Sequence, residues 1–338
     1  MPEINRRQFI AGTSTLAAVT LVPGCSNPDQ QEAVRPEGVP VGPFGASSTA
    51  LQVTEGIDLT GKTALITGCN SGLGYETMRV LSLRGANIIG AARTLEKAEE
   101  ALAAVNATGT PVACELGDLD SVSACGETVR ALGIPVDMLI LNAGIMALPE
   151  LEQINGIEKQ FFVNHIGHFA LTSYVLPQVI AARQGRVVVV GSSGHEFAPE
   201  GGIDFTNLSG ERNYAPWTAY GVSKLANGLF TLELAKRLAD TNATANCIHP
   251  GIINTNLGRH FPWWQQLVAR LFGWTFMKSI EEGAATETYV ATAPALAGYS
   301  GYYFADCNPL LPDPRMLNAT QAAELWKVSE QIAAGHLG

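Results

Sequence analysis

Tyr220 and Lys224 are the two side chains whose types and spacing best fit acid/base chemistry. Residues four apart lie on one face of a helix. A phenol loses its proton at about pH 10, and a neighbouring ammonium stabilises the phenolate and lowers that pKa. The pair therefore predicts a proton donor and acceptor. A solvated helix face can carry the same spacing by chance, so the rest of the chain must decide between the two interpretations.

A glycine-rich loop follows the first predicted strand and leads into a helix expected to start near Tyr75. Its sequence is Thr67-Gly68-Cys69-Asn70-Ser71-Gly72-Leu73-Gly74. Glycines allow a tight turn and a close approach to a pyrophosphate, and a helix N-terminus offers free N–H groups to an anion. At a junction of strand and helix, this pattern predicts dinucleotide binding.

The end of the second predicted strand bears on the choice of nicotinamide cofactor. A carboxylate about 20 residues beyond the glycines holds the ribose of NAD, whereas an arginine accommodates the 2′-phosphate of NADP. This chain has Ala91-Ala92-Arg93 there and no acid. We predict NADP, held by Arg93 with help from Ser71. NAD stays the alternative, with Arg93 as an ordinary surface residue.

These residues need a scaffold, and short apolar runs that alternate with helical patterns provide one. Six runs predict strands: Thr63–Ile66, Asn87–Ala91, Pro111–Ala113, Met138–Leu141, Arg186–Val190 and Thr244–Ile248. Strands that alternate with helices predict an α/β fold with a doubly wound parallel sheet, the Rossmann fold. We find no internal repeat, so residues 56–338 are expected to form a single domain.

Composition narrows the class of protein. The chain has 338 residues, of which 46% are hydrophobic and 15% charged, and its formal charge is −10. Such a chain can bury a large core, and an acidic protein without runs of Lys and Arg is not expected to bind nucleic acid. Four histidines lack acidic or cysteine neighbours at ligand spacing, so we predict no metal site: His165, His168, His195 and His249.

The order of these motifs resembles the short-chain dehydrogenase/reductase family over nearly all of residues 56–338. Further matches follow the fourth, fifth and sixth strands or lie in a helix: Asn142-Ala143-Gly144, Val163-Asn164-His165, Val190-Gly191-Ser192-Ser193 and His249-Pro250-Gly251-Ile252-Ile253-Asn254-Thr255. Within that family, Asn207-Leu208, the run Ser223-Lys224-Leu225-Ala226-Asn227 and Leu325-Trp326 are similar to the branch of the retinol dehydrogenases and the WW-domain oxidoreductase.

The resemblance implies hydride transfer between NADP(H) and a carbonyl or alcohol group, with four catalytic residues. Tyr220 would exchange a proton with the substrate oxygen. Lys224 would lower the pKa of Tyr220 and bind the nicotinamide ribose. Ser192 would hydrogen-bond the substrate oxygen, and Asn164 would position a water that links Lys224 to solvent.

The resemblance also implies which residues hold the cofactor. They are Gly68, Asn70, Ser71, Gly72, Leu73, Gly74, Arg93, Glu115, Leu116, Asn142, Ala143, Gly144, Tyr220, Lys224, Pro250, Gly251, Ile253 and Thr255. The sequence departs from the family pattern at three positions. Glu115 stands where an aspartate usually contacts adenine, Leu141 replaces an asparagine, and Gly191 replaces the first of two serines. The catalytic serine is then Ser192, with Ser193 as the alternative.

The segment at about 255–285 is expected to cover the substrate. It contains Trp264, Leu267, Val268, Leu271 and Phe272 at helical spacing. An aromatic lid favours a small apolar aldehyde, ketone or alcohol as substrate. Two alternatives stay open: the segment packs on its own domain, or it meets a membrane interface.

The N-terminus indicates export. Residues 1–25 place Arg6 and Arg7 before a short apolar stretch and end at Cys25, which predicts a twin-arginine signal for export across a bacterial inner membrane to the periplasmic side. The end of this stretch resembles a lipoprotein cleavage box, which would attach the chain to the membrane through a lipidated Cys25. Residues 26–55 are rich in proline and predict a tether or arm.

Two other functions compete with an exported oxidoreductase. A lipid-tethered protein that senses or holds NADP without turnover would suit a compartment poor in free cofactor. An epimerase or dehydratase would need a larger C-terminal substrate domain than the roughly 80 residues that follow the Pro-Gly motif. The sequence does not indicate an oligomeric state.

Overall fold

The computed structural model of the protein describes residues 34–253 and 277–338. Arg35–Gly338 form one compact unit. Several predicted features lie outside the described residues: the export signal at 1–25 with Cys25, the first part of the arm, Thr255 and the lid up to residue 276.

The strands were expected mainly from apolar runs, and the structure gives them the following bounds. They are β1 (Thr63–Thr67), β2 (Asn87–Ala92), β3 (Gly109–Ala113), β4 (Met138–Leu141), β5 (Gln153–Ile154), β6 (Ile157–Glu158), β7 (Arg186–Val190), β8 (Thr244–His249), β9 (Tyr303–Ala305) and β10 (Asn308–Leu310). Eight of them form one sheet in the order β3-β2-β1-β4-β7-β8-β9-β10, and β5 pairs with β6 in a separate hairpin. In the large sheet, the pairings are parallel except that of β9 with β10. The predicted doubly wound sheet is confirmed.

Helices cover both faces of this sheet. They are α1 (Ala50–Val53), α2 (Gly72–Leu83), α3 (Leu95–Ala104), α4 (Leu119–Ala131), α5 (Lys159–Phe161), α6 (Gly167–Ala181), α7 (Pro216–Arg237), α8 (Ile280–Thr292) and α9 (Ala319–Ile332), with a π-helical turn at Phe162–Ile166. One apolar core unites one face of the sheet with α4, α6, α7 and α9, and a second core unites the other face with α2, α3 and α8. Because both faces are covered, all residues of β1 and β7 are buried, including the apolar runs at 64–66 and 187–190. Within the described ranges, no helix is long and apolar enough to cross a membrane.

The six predicted strands are present, and several run one or two residues longer than expected. The pair β9 and β10 was not predicted, because strands of three residues leave no periodic pattern to detect. Helix α2 starts at Gly72 rather than near Tyr75. A Cβ at Gly74 would collide with the Asn142 amide nitrogen and the Gly68 carbonyl oxygen, so glycine is needed inside the first turn.

Residues 44–54, the later part of the predicted arm, pack on the domain. Ala50 and Val53 are buried. The ring of Phe44 stands edge-on to Tyr289, with centroids 5.6 Å apart. The Phe44 carbonyl oxygen accepts a hydrogen bond of 2.8 Å from Asn308 Nδ2. The compact unit therefore includes the later part of the predicted arm.

Candidate active site at the carboxyl edge of the sheet

The four predicted catalytic residues meet at the carboxyl edge of the sheet. Ser192 comes two residues after β7, and Tyr220 and Lys224 lie in the first half of α7. Asn164 lies in the π-helical turn before α6. The parallel strands β4, β7 and β8 end at this edge, so residues far apart in the chain become neighbours there.

Tyr220 is buried beside Ser192. A Cβ at Gly194 would stand 2.6 Å from the Tyr220 ring and 3.2 Å from Ser192 Oγ, so a glycine is needed between them. Burial raises the pKa of Tyr220, and its hydrogen bond with Ser192 acts in the opposite direction. The expected lowering of this pKa by Lys224 was wrong for the protein alone: desolvation dominates, and the lysine is bonded elsewhere.

Lys224 is buried with its ammonium at the end of β7. Its Nζ donates a 2.8 Å hydrogen bond to the Val190 carbonyl oxygen and lies 5.8 Å from the centroid of the Tyr220 ring. Burial lowers the pKa of Lys224 to about 8, against an opposing effect of Cys247. An ammonium has three donors, and one of them is used here.

Asn164 is fully buried and its amide is bonded to the main chain. Oδ1 accepts from Ile145 N at 2.8 Å, and Nδ2 donates to Ile145 O at 2.9 Å and to Ser223 Oγ at 2.9 Å. Ser223 Oγ in turn donates to the Tyr220 carbonyl oxygen at 2.7 Å. Asn164 thus connects the segment after β4 to α7, the helix that carries Tyr220 and Lys224.

His168 extends this network, although the sequence analysis gave it no role in the site. Its Nδ1 must carry the proton, because it faces the Asn164 carbonyl oxygen at 3.2 Å. Burial lowers the pKa of His168 to about 3, so Nε2 is a neutral acceptor for the Thr67 hydroxyl at 2.9 Å. Thr67 Oγ1 also accepts the N–H groups of Asn142 and Ala143, each at 3.0 Å. The spacing of His168 four residues after Asn164 was the signal that could have found it.

Gln160 holds the next part of the segment after β4, around Ala147. No role was predicted for it from the sequence. Its Oε1 accepts the Ala147 N–H at 2.6 Å, where Ala147 adopts a left-handed φ of 48°. Nearby, Tyr214 donates from its hydroxyl to the Leu148 carbonyl oxygen at 2.7 Å. Polar residues inside an otherwise apolar helical run could have indicated such a role.

The glycine loop fits a cofactor phosphate. Gly68 and Gly72 have φ values of 70° and 57°, which favour glycine. A Cβ at Gly68 would lie 3.0 Å from Asn142 Nδ2, and that amide donates to the Thr67 carbonyl oxygen at 2.8 Å. Ser71 stands at the N-cap of α2 without a capping bond from its side chain. The N–H groups of the first turn, around Gly72 and Leu73, therefore face the loop without a cap.

Three other predicted cofactor positions surround this loop. Arg93, just past β2, is exposed and has no hydrogen bond or ion pair with the described residues. The same holds for Asn70 in the loop. Glu115 turns its carboxylate back on its own loop, where Oε1 accepts from Gly117 N at 3.1 Å. Leu116 is buried, and its carbonyl oxygen lies so close to Gly167 that a Cβ there would collide with it.

The Pro-Gly motif after β8 borders the other side of the predicted cofactor site. Gly251, after Pro250, has a φ of 97°. Ile253 and Leu73 meet over Gly283 of α8, where a Cβ would lie 2.5 and 2.8 Å from their side chains. The end of β8 and the start of α2 are thus packed together through α8. Gly144 lies between these parts, and a Cβ there would stand 3.1 Å from Asn164 Oδ1 and 3.8 Å from Lys224 Nζ.

Gly191 departs from the family pattern for a steric reason. A Cβ at this position would lie 2.6 Å from Cys247 Sγ and 3.0 Å from the Ile248 carbonyl oxygen. Ser192 Oγ accepts from Gly194 N at 2.9 Å beside the Tyr220 ring, whereas Ser193 donates from its main-chain nitrogen to His249 Nδ1 at 3.1 Å. The geometry favours Ser192 over Ser193 as the catalytic serine.

The other three histidines considered as metal ligands have protein partners. His165 Nε2 lies 2.7 Å from Ser329 Oγ, and His195 Nδ1 lies 2.5 Å from the Ser192 carbonyl oxygen. Burial lowers the pKa of His165 to about 3 and that of His249 to about 4, so both are neutral. In the part of the chain that the structure describes, no three His, Cys, Asp or Glu side chains form a possible metal site.

Comparisons with known proteins agree with this arrangement. A model of the family described as short chain dehydrogenase matches residues 62–266. The chain is 40% identical to human retinol dehydrogenase 14 over 291 residues, which cover 80% of this chain and 85% of that protein. It is 37% identical to the WW domain-containing oxidoreductase of Pongo abelii over 306 residues, 87% of this chain and 73% of that protein.

A solved structure gives the same result. The crystal structure of a protein from Mycobacterium paratuberculosis aligns with a TM-score of 0.68 at 33% identity and covers 83% of this chain and 96% of that one. The family predicted from the motifs is confirmed, and proteins with the two names given to the predicted branch are among the relatives. With its glycine loop, its buried tyrosine and lysine, and these relatives, the chain belongs to the short-chain dehydrogenase/reductase family of oxidoreductases.

Proposed function

We propose that the protein is an NADP-dependent oxidoreductase that interconverts a carbonyl and an alcohol group on a small apolar aldehyde, ketone or alcohol. The observation that carries the proposal is the convergence of Ser192, Tyr220 and Lys224 at the sheet edge that also bears the glycine loop. The cofactor would lie along this edge, between the glycine loop and the Pro-Gly motif, and would supply or accept the hydride.

The residues of the chain handle the proton. The raised pKa of Tyr220 keeps its phenol protonated at neutral pH, ready to donate to a carbonyl oxygen. Ser192 adds a second hydroxyl on the same side and stabilises charge that develops on that oxygen. Lys224 has donors to spare beyond Val190, which suit the hydroxyls of a ribose. This arrangement favours the direction of reduction.

The preference for NADP rests on Arg93. Its guanidinium is exposed at the end of β2 and has no partner among the described residues, so it is available to a 2′-phosphate. Ser71 is exposed at the start of α2 and would help Arg93 hold this phosphate. An Arg93→Asp variant should reverse the preference, because a carboxylate repels the phosphate and accepts from a ribose hydroxyl.

The test uses the purified full chain with NADPH or NADH and a panel of apolar aldehydes and ketones. We expect turnover with NADPH, a loss of about 10²–10⁴-fold in Tyr220→Phe, and parental activity in the control Tyr302→Phe. Absence of turnover, or a Tyr220→Phe variant equal to the parent, would refute the proposal. Bound cofactor that does not exchange, without turnover, would indicate a cofactor-holding protein instead.

We also propose export through the twin-arginine signal, with lipid attachment at Cys25 to the periplasmic side of the membrane. Both features come from the sequence. Replacing Arg6 and Arg7 with lysine should retain the chain in the cytoplasm, and Cys25→Ala should release an exported chain from the membrane fraction. Unchanged export of the lysine variant would contradict the assignment, and a Cys25→Ala chain that stays in the membrane fraction would contradict lipidation.

A further inference from the structure

We infer that Phe197 and Trp217 form a wall of the substrate site and bind the apolar body of a substrate, a long alkyl chain or an aryl group, beside the reacting carbon. The inference rests on the proposed function and names the substrate class for that site. Neither residue belongs to the motifs that the sequence analysis assigned to the site, and Phe197 and Trp217 are contributed by different elements, the turn after β7 and helix α7.

The position of the pair connects it to the chemistry. Trp217 lies three residues before Tyr220, so both project from one face of α7. The rings of Trp217 and Tyr220 stand edge to face, with centroids 6.1 Å apart and planes at 87°. Phe197 continues the row, with its centroid 5.5 Å from that of Trp217. A row of aromatic rings therefore extends from the ring of Tyr220, whose phenol would donate the proton.

The exposure of the pair separates it from the core. The exposed fraction is 54% for Phe197 and 41% for Trp217, whereas Tyr220 is 7% exposed. Single exposed apolar residues are common on soluble proteins, but adjacent large ones beside a reactive group mark a binding surface. Aromatic rings offer large apolar area with few rotatable bonds, which limits the entropy lost when a ligand binds.

The main chain beneath Phe197 is held firmly. A Cβ at Gly221 would lie 2.7 Å from the Phe197 carbonyl carbon and 2.6 Å from Ala198 N, so the turn rests directly on α7. Arg315 donates to the carbonyl oxygens of Ala198, of Pro199 at 3.0 Å and of Glu196 at 3.3 Å. Its guanidinium is fixed in turn by Asp313 at 2.6 Å. An exposed aromatic side chain on such a fixed turn presents a defined surface to a ligand.

The test measures kcat/KM with NADPH for butanal, hexanal, octanal and decanal. In the parent, kcat/KM should rise by up to about fourfold for each CH₂ added to the aldehyde, because each bound methylene adds hydrophobic binding energy. Phe197→Ala and Trp217→Ala should each lower kcat/KM for decanal at least about tenfold and leave butanal within about twofold. Leu83→Ala is the matched control, because Leu83 is 61% exposed at the far end of α2. Equal losses for butanal and decanal, or no loss, would overturn the inference.

A second measurement does not need turnover and separates this inference from the proposed function. Decanamide resembles the substrate and cannot be reduced in the same way, so its binding to the full chain is followed by calorimetry. If the parent binds decanamide at least about tenfold more tightly than the Phe197→Ala/Trp217→Ala double variant, the wall is supported even if no aldehyde is reduced. If decanamide does not bind, or binds both proteins equally, the inference is wrong.

Discussion

The two sides of Tyr220 are built on opposite principles. On the inner side, which we define as Asn164, Ser223 and Lys224, the side chains are polar, buried and bonded to main-chain atoms or to each other. On the outer side, defined as Phe197 and Trp217, the side chains are apolar and exposed. There the main chain is fixed and the side chains are left facing outward.

The difference gives the two sides separate roles: the inner side positions the catalytic groups, and the outer side selects the substrate. A buried polar group that loses its partner costs about 1–3 kcal/mol, so changes on the inner side should damage folding and chemistry together. Truncating the exposed ring of Phe197 removes no polar group and leaves no buried polar group without its partner. Changes on the outer side should therefore alter which substrates are accepted and leave stability nearly unchanged.

Asn164→Ala should give the largest effect and tests the inner side. The change leaves Ile145 N and O without their partners and removes the bond to Ser223. We expect a loss of about 2–4 kcal/mol in the free energy of unfolding, measured with urea, together with at least a tenfold loss of kcat. Asn242→Ala, at an exposed position, is the control. Full stability with lost activity would show that the two properties are separable on this side.

The charge of Lys224 predicts opposite pH dependences for activity and stability. Burial lowers the folded pKa to about 8 from an ordinary value of 10.5, so between these values the unfolded chain binds more protons. Stability should therefore rise from about pH 8 towards 10.5, by up to about 3 kcal/mol, and the rise should be absent in Lys224→Met. Below pH 8 both states are protonated and this contribution is constant.

Activity should move the other way in the same window. If the ammonium supports proton donation by Tyr220, kcat/KM for reduction is level below about pH 8 and falls tenfold per pH unit above it. The two profiles are measured on the same preparation, by steady-state rates and by urea unfolding. An activity that stays level up to pH 10 would show that the charge of Lys224 is not needed for reduction.

Gly191→Ser tests how tightly the inner side is packed behind the catalytic serine. The new Cβ would approach Cys247 Sγ and the Ile248 carbonyl oxygen. We expect a loss of about 1–3 kcal/mol in stability, of which Cys247→Ala should restore part. Simple additivity in the double variant would mean that Cys247 is not what excludes a side chain at this position.

These contrasts explain which parts of the site were predictable. The motif residues were found because they lie at strand ends or at helical spacing, as Ser192 after β7 and Tyr220 with Lys224 do. The fold followed from short apolar runs that alternate with helical patterns. The three-residue β9 and β10 did not, because strands this short leave no periodic pattern to detect.

The environment of the site could not be derived in the same way. The direction of the Tyr220 pKa shift depends on burial, which spacing does not reveal, so the expected lowering by Lys224 was wrong. His168 and Gln160 left only weak local signals, the spacing of His168 from Asn164 and a polar residue in an apolar run. Their bonds to Thr67 and Ala147 reach other segments, which the sequence pattern does not reveal. The reason for Gly191 lies in Cys247, on a neighbouring strand.

Arg315→Met should give the smallest effect and tests the outer side. The change releases the carbonyl oxygens of Glu196, Ala198 and Pro199, so the turn that carries Phe197 gains freedom. We expect KM for decanal to rise about threefold while kcat for butanal stays constant, because ordering a loosened turn costs entropy only when the apolar body binds. Arg212→Met is the matched control, since Arg212 forms a comparable pair with Asp204 at 3.0 Å on the surface. If Arg315→Met instead lowered kcat for all substrates equally, the turn would position Ser192, and the separation between the two sides of Tyr220 would fail.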